Sequence, residues 1–97
     1  MLTPQGLKEM ADSILELVSY CRITIDGDEV ILNPSGTRVN NNRIDILFMV
    51  SEQVAGEMTR FELVSKTETI LATKPLDIKK LPGNGLMIRF SFSITEG

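Results

Sequence analysis

Ten residues near the end of the chain, Leu86 to Thr95, restrict the fold more than any other segment. Leu86, Ile88, Phe90, Phe92 and Ile94 alternate with Met87, Arg89, Ser91, Ser93 and Thr95. Successive side chains of a β-strand point to opposite faces, so this alternation demands a strand with one buried and one wetter face. A second such run, Arg43–Val50, puts Ile44, Ile46, Phe48 and Val50 on one side. Asp45, Leu47 and Met49 share the other side, which is apolar apart from Asp45. Tyr20–Ile25 alternates in the same way, with Cys21, Ile23 and Ile25 together. In Met58–Ser65, Phe61 and Leu63 face away from Arg60, Glu62 and Val64.

Turn chemistry separates these runs. Asp26-Gly27-Asp28 is a hairpin signal leading to a returning strand at Glu29–Leu32. Asn33-Pro34-Ser35-Gly36 and Pro82-Gly83-Asn84-Gly85 are strong turns. Asn40-Asn41-Asn42 reads as an exposed loop, with Thr37–Val39 between it and the preceding turn. Lys66-Thr67-Glu68 connects to a strand at Thr69–Thr73, which Pro75 ends or marks as a sheet edge. Leu76, Ile78 and Leu81 continue in extended form.

Only the start of the chain has helical spacing. Thr3-Pro4 is a helix start, because Thr caps a free N–H and Pro at the first helical position loses no bond. Leu7, Met10, Ala11, Ile14, Leu17 and Val18 then repeat at intervals of three and one, predicting one apolar helix face. The expected architecture is α+β and mainly β, in one domain over residues 1–97. An amphipathic helix at about residues 4–19 precedes a β region at about 20–95. The latter is an antiparallel β-sandwich or open barrel of six to seven strands, with the helix covering one end or one face.

Composition narrows function mainly by exclusion. The 97 residues contain no histidine, which removes Ser-His-Asp and Cys-His catalysis and His-ligated zinc. Cys21 is the single cysteine and has no partner for an intrachain disulfide, so a reducing cytoplasm is the expected setting. Ten basic and thirteen acidic residues give a net charge of −3 without a basic block, so no nucleic-acid partner is expected. The longest apolar run, Ile46–Val50, is far short of the roughly twenty residues of a membrane helix. Neither membrane insertion nor a targeting segment is expected.

The candidate sites have plain structural explanations. Asp26-Gly27-Asp28-Glu29 lacks the ligand series of a calcium loop and reads as a polar hairpin turn. Asp26 and Asp28, as an acid–base pair, lack the fixed geometry that catalysis needs. Pro82–Gly85 lacks both the spacing and the following helix of a phosphate-binding loop. Cys21, on the side of Ile23 and Ile25, reads as a small buried hydrophobe. Asp45 is expected to pair across strands with Arg43, Arg60 or Arg89. Lys74, Lys79 and Lys80, with Lys66 nearby, discourage edge-to-edge pairing or, at Lys79 and Lys80, form the rim of a contact. The five methionines read as gap fillers. No catalytic residue, metal ligand or cofactor is expected.

Leu2-Thr3-Pro4-Gln5-Gly6-Leu7 resembles the Leu-Thr-x-x-Gly-Leu opening of small bacteriophage tail-fibre and minor structural proteins. Thr59–Val64 and Thr69–Lys74 resemble strands of that family. Ile78-Lys79-Lys80 followed by Leu86–Ile94 resembles its closing pattern. The resemblance follows the family's order over most of the chain. It departs at Glu62, where the family often has glycine, and in a sparser glycine content after the first strand. It implies a non-enzymatic virion or prophage protein, made in the bacterial cytoplasm and placed in the tail. Its partners would be further copies of itself or other virion proteins. The expected contact residues are Leu47, Met49 and Met87, with Lys79 and Lys80 at the rim. The rival expectation is a stand-alone β-sandwich module binding carbohydrate or peptide, with Tyr20 as the one obvious aromatic platform.

Overall fold

The computed structural model describes residues 3–95 and, at Leu76, the backbone alone. Leu2, in the opening segment of the resemblance, lies outside the described residues. Helix α1 (Pro4–Leu17) precedes β1 (Val18–Ile25), β2 (Asp28–Leu32), β3 (Gly36–Asn40) and β4 (Arg43–Val50). Then follow β5 (Gly56–Ser65), β6 (Ile70–Lys80) and β7 (Leu86–Ser93). All pairings are antiparallel. One sheet has the order β2-β1-β5-β6 and the other β3-β4-β7. The expected mainly-β α+β fold is therefore found, with seven strands among the described residues.

The core lies between the sheets. Cys21, Ile23, Phe61 and Leu63 from the first sheet meet Ile44, Ile46, Phe48, Ile88 and Phe90 from the second. Phe48 and Phe90 pack edge to face with ring centroids 6.1 Å apart, the arrangement favoured by the aromatic quadrupole. The alternating runs explain these faces. In β4 and β7, the inward residues Ile44, Ile46 and Phe48 stand opposite Phe92, Phe90 and Ile88.

Three boundaries differ from the sequence expectation. The helix stops at Leu17 rather than Ser19, because Val18 is already extended (φ −77°, ψ 131°). Branched, buried Val18 favours the strand conformation. Thr37–Val39, expected only as chain between two loops, belongs to β3, paired along β4. Of the two expectations for Pro75 the edge is found: β6 is an edge strand and runs through the proline to Lys80, beyond the expected Thr73.

The helix is started as its sequence predicts. Thr3 Oγ1 accepts a hydrogen bond from Gly6 N at 3.0 Å. Its far end is tied to the β5–β6 turn by Lys66 N donating to Leu17 O at 3.0 Å. The buried stripe is narrower than the apolar pattern. Ala11 is buried, and Ile14 and Leu15 pack against the core, whereas Met10 and Leu17 are exposed. The contact face runs through 11, 14, 15 and 18 and leaves 10 and 17 exposed.

The β1–β2 turn has both central residues in the left-handed region, Asp26 at φ 49° and Gly27 at φ 86°, as two-residue hairpins favour. Asp26 also joins this hairpin to β5. Its N–H donates to Glu57 O, and its Oδ1 accepts from Glu57 N, both at 2.9 Å. Gly56 has φ 138°, and a Cβ there would collide with the Asp26 carboxylate.

Candidate interaction surface

The outward face of the β3-β4-β7 sheet carries the residues singled out for contact. Met49 on β4 stands directly opposite Met87 on β7, and both are about half exposed. Leu47, one step along the same face, has Arg89 opposite it on β7 and Gly36 opposite it on β3. Gly36 opposite it has no side chain, and Leu47, half-buried, lines a cavity together with Arg38 of β3. Leu47, Met49 and Met87 therefore form one open apolar row, two of its members being cross-strand neighbours.

The rest of this face is polar and cation-rich. Asp45 is largely buried by its own neighbours rather than by another layer. It accepts from Ser91 Oγ at 2.6 Å and from Arg43 Nε at 3.0 Å. The Ser91 hydrogen bond, with help from Arg43, holds its carboxyl below the usual aspartate value. Of the three expected arginine partners, Arg43 makes the salt bridge. Arg38 stands opposite Asp45 in register, and Arg89 lies further along β7.

Lys79 and Lys80 do not join this surface. Lys79 stands on the other sheet opposite Glu57. Lys80, expected at a contact rim, is only 5% exposed. Its Nζ donates to Val54 O at 2.5 Å, closing the β4–β5 loop. An ammonium on a flexible stem reaches carbonyls that the irregular loop leaves without strand partners. Lys80 is therefore corrected from a rim contact to a loop clamp.

A seam opens where the edge strands β6 and β7 approach each other. It holds a cavity of about 380 Å³ lined by Arg38, Lys74 and Arg89 above an apolar floor that includes Phe61, Ile78 and Ile88. Lys74 reaches across: its Nζ donates to Arg89 O and lies 5.1 Å from the centre of the Phe90 ring. Sequence reasoning placed Lys74 on an edge but missed the seam, because no local pattern reports which edges of two different sheets lie side by side.

Carboxylates also gather where β5 and β6 pass the β1–β2 turn, with Lys79 opposite Glu57. Glu57 and Asp77 are neighbours there, and the Asp77 carboxylate pushes Glu57 above its ordinary value, with Asp26 adding to the effect. Asp26 is engaged structurally, as described, and among the described residues no group of three or more Asp, Glu or Cys is placed to hold a metal ion. Midway along this sheet, Arg22 Nε donates to Glu62 at 3.0 Å. Tyr20, the expected platform, is half-buried and its hydroxyl donates to Glu68 Oε2 at 2.7 Å. The Cys21 thiol is fully buried, and desolvation pushes its pKa up to about 11, which disfavours the nucleophilic thiolate. Among the described residues no helix is long and apolar enough to cross a membrane.

The chain matches no known protein family, and no curated protein or solved structure is significantly similar to it.

Proposed function

We propose that this chain is a non-enzymatic structural subunit that works by assembling with other protein copies, as part of a bacteriophage or prophage tail. One observation carries the assembly reading: Met49 and Met87 lie side by side and exposed, with Leu47 beside them, on a face that no other layer covers. Large apolar side chains gathered on an open sheet face favour burial against a partner. The tail setting is supported by the ordered resemblance of Leu2–Leu7, Thr59–Val64, Thr69–Lys74, Ile78–Lys80 and Leu86–Ile94 to tail-associated structural proteins.

Chemistry supports the same reading. The one thiol is buried with a raised pKa, Asp45 and Asp26 are bound within the fold, and histidine is absent. The carbohydrate alternative gains little from Tyr20, whose hydroxyl is already engaged by Glu68. The test is the solution mass of the wild-type chain and of Met87→Lys over a concentration series. Assembly of the wild type, weakened by the substitution, is expected. A wild type that stays at 10.8 kDa throughout overturns the self-assembly reading.

A further inference from the structure

We propose that copies of this chain join head to tail, the β2 edge strand of one copy pairing antiparallel with the free edge of β7 in the next. This rests on the assembly reading above and names its interface. Among the described residues four edges are open in the two sheets: β2, β6, β3 and β7. An unpaired edge presents a row of backbone donors and acceptors to any incoming strand. The edges are not equivalent. On β6, Pro75 removes a donor and Lys74 and Lys79 add charge, which are common guards of an edge. On β7, between Met87 and Ser91, there is neither proline nor lysine. There Lys74 covers a single carbonyl, that of Arg89.

That hydrogen bond also fixes the direction of the β7 backbone. Arg89 O points away from β4 toward Lys74, so Met87, Arg89 and Ser91 turn their backbone groups to the free edge, as alternate residues do. On β2, the two-residue turn Asp26-Gly27 makes Ile25 and Asp28 the pair that bonds inward. Glu29 and Ile31 therefore turn theirs outward.

One register satisfies every constraint at once. Antiparallel pairing of Glu29 with Arg89 places Ile31 opposite Met87 and Val30 opposite Ile88. Both outward-turned backbone rows then bond to each other, Glu29 N taking the place of Lys74 at Arg89 O. A carboxylate meets a guanidinium, and Ile31, 60% exposed, meets Met87, 54% exposed. Faces match as well. Glu29 and Ile31 stand opposite the outward residues Thr24 and Arg22, and Arg89 and Met87 are outward on β7. The row Met49–Met87 continues into Ile31 of the added strand.

Charge selects the occupant. The seam offers Arg38, Lys74 and Arg89 and has no carboxylate in its lining. Of the edge strands, β2 begins with two adjacent acids, Asp28 and Glu29, and carries no cation. A second β7 would bring Arg89 against Arg89, and a β3 would bring Arg38 against it. Because β2 and β7 are different surfaces, each copy can both give and receive, so the contact builds rings or filaments. A five-residue pairing is small, so association is expected in the weak, concentration-dependent range.

The test is light scattering on wild type, Glu29→Arg and Arg89→Glu, each alone and with the two variants mixed in equal amounts, from about 1 μM to about 1 mM. Wild type is expected to assemble, less so as salt rises. Each variant alone is expected to stay monomeric, since both of its edges then carry the same sign. The mixture is expected to recover assembly, because the arginine introduced at position 29 of one variant faces the glutamate introduced at position 89 of the other. A wild type that is monomeric throughout overturns this interface together with the assembly reading, leaving the seam to a strand of another protein. Assembly that survives in each variant alone, or a mixture of folded variants that recovers nothing, overturns the β2–β7 pairing alone. Amide hydrogen exchange on wild type reads the same contact without substitution. Glu29, Ile31, Met87 and Arg89 are expected to gain protection with concentration, and unchanged exchange in an assembled sample overturns the pairing.

Discussion

At the residue scale, three residues make the fold's local chemistry testable. Gly56 is held at φ 138° against the Asp26 carboxylate, so Gly56→Ala is expected to cost about 1–3 kcal/mol in denaturant unfolding. Asp45 has a depressed pKa through Ser91 and Arg43. Its folded carboxylate gives up protons more readily than the unfolded one. The stability it contributes is therefore present above about the ordinary value of 3.8 and lost as pH falls through its folded value. Asp45→Asn is expected to flatten the acid limb of a stability–pH curve. Glu57 has the opposite shift, raised by Asp77. Asp77→Asn relieves that repulsion and is expected to raise Tm at pH 7, with the gain fading as acid protonates Glu57. Of these contacts, the sequence suggested only the pairing of Asp45 with an arginine, which Arg43 makes. Asp26 and Gly56 are thirty residues apart, and only the pairing of β1 with β5 brings them together.

At the element scale, legibility followed periodicity. The clean alternation of β7 and β4 identified their inward faces residue by residue, and the Asp26-Gly27 turn identified the β1–β2 hairpin. The helix pattern located α1 but overstated its buried face, since Met10 and Leu17 are apolar yet exposed. Met10→Lys is accordingly expected to change unfolding stability by less than about 0.5 kcal/mol, whereas Ala11→Asp is expected to cost several times more. β3 was missed because Thr37–Val39 is too short and too polar to carry a period of its own; pairing with β4 makes it a strand. Lys80 was misplaced for a related reason. A lysine beside a turn reads as exposed charge until the β4–β5 loop is seen to need a donor.

At the scale of the whole molecule, two sheets enclose a core in which Phe48 and Phe61 are fully buried. Phe48→Ala is expected to cost about 3–5 kcal/mol. Outside that core, Asp26, Asp28 and Glu29 lie at the β1–β2 turn and its exit, and Arg38, Lys74 and Arg89 line the seam. The outward residues Leu47, Met49 and Met87 were identified by alternation alone, and the fold gathers them on one open face. Their neighbours across the seam depended on the packing of two sheets, which no single strand's pattern encodes. The central claim is that these exposed features exist to join copies of the chain. It is tested most directly by the mass of the wild-type protein in light scattering over a dilution series at low salt. The account predicts a mass well above 10.8 kDa that falls toward it on dilution, and a mass fixed at 10.8 kDa at every concentration would contradict it.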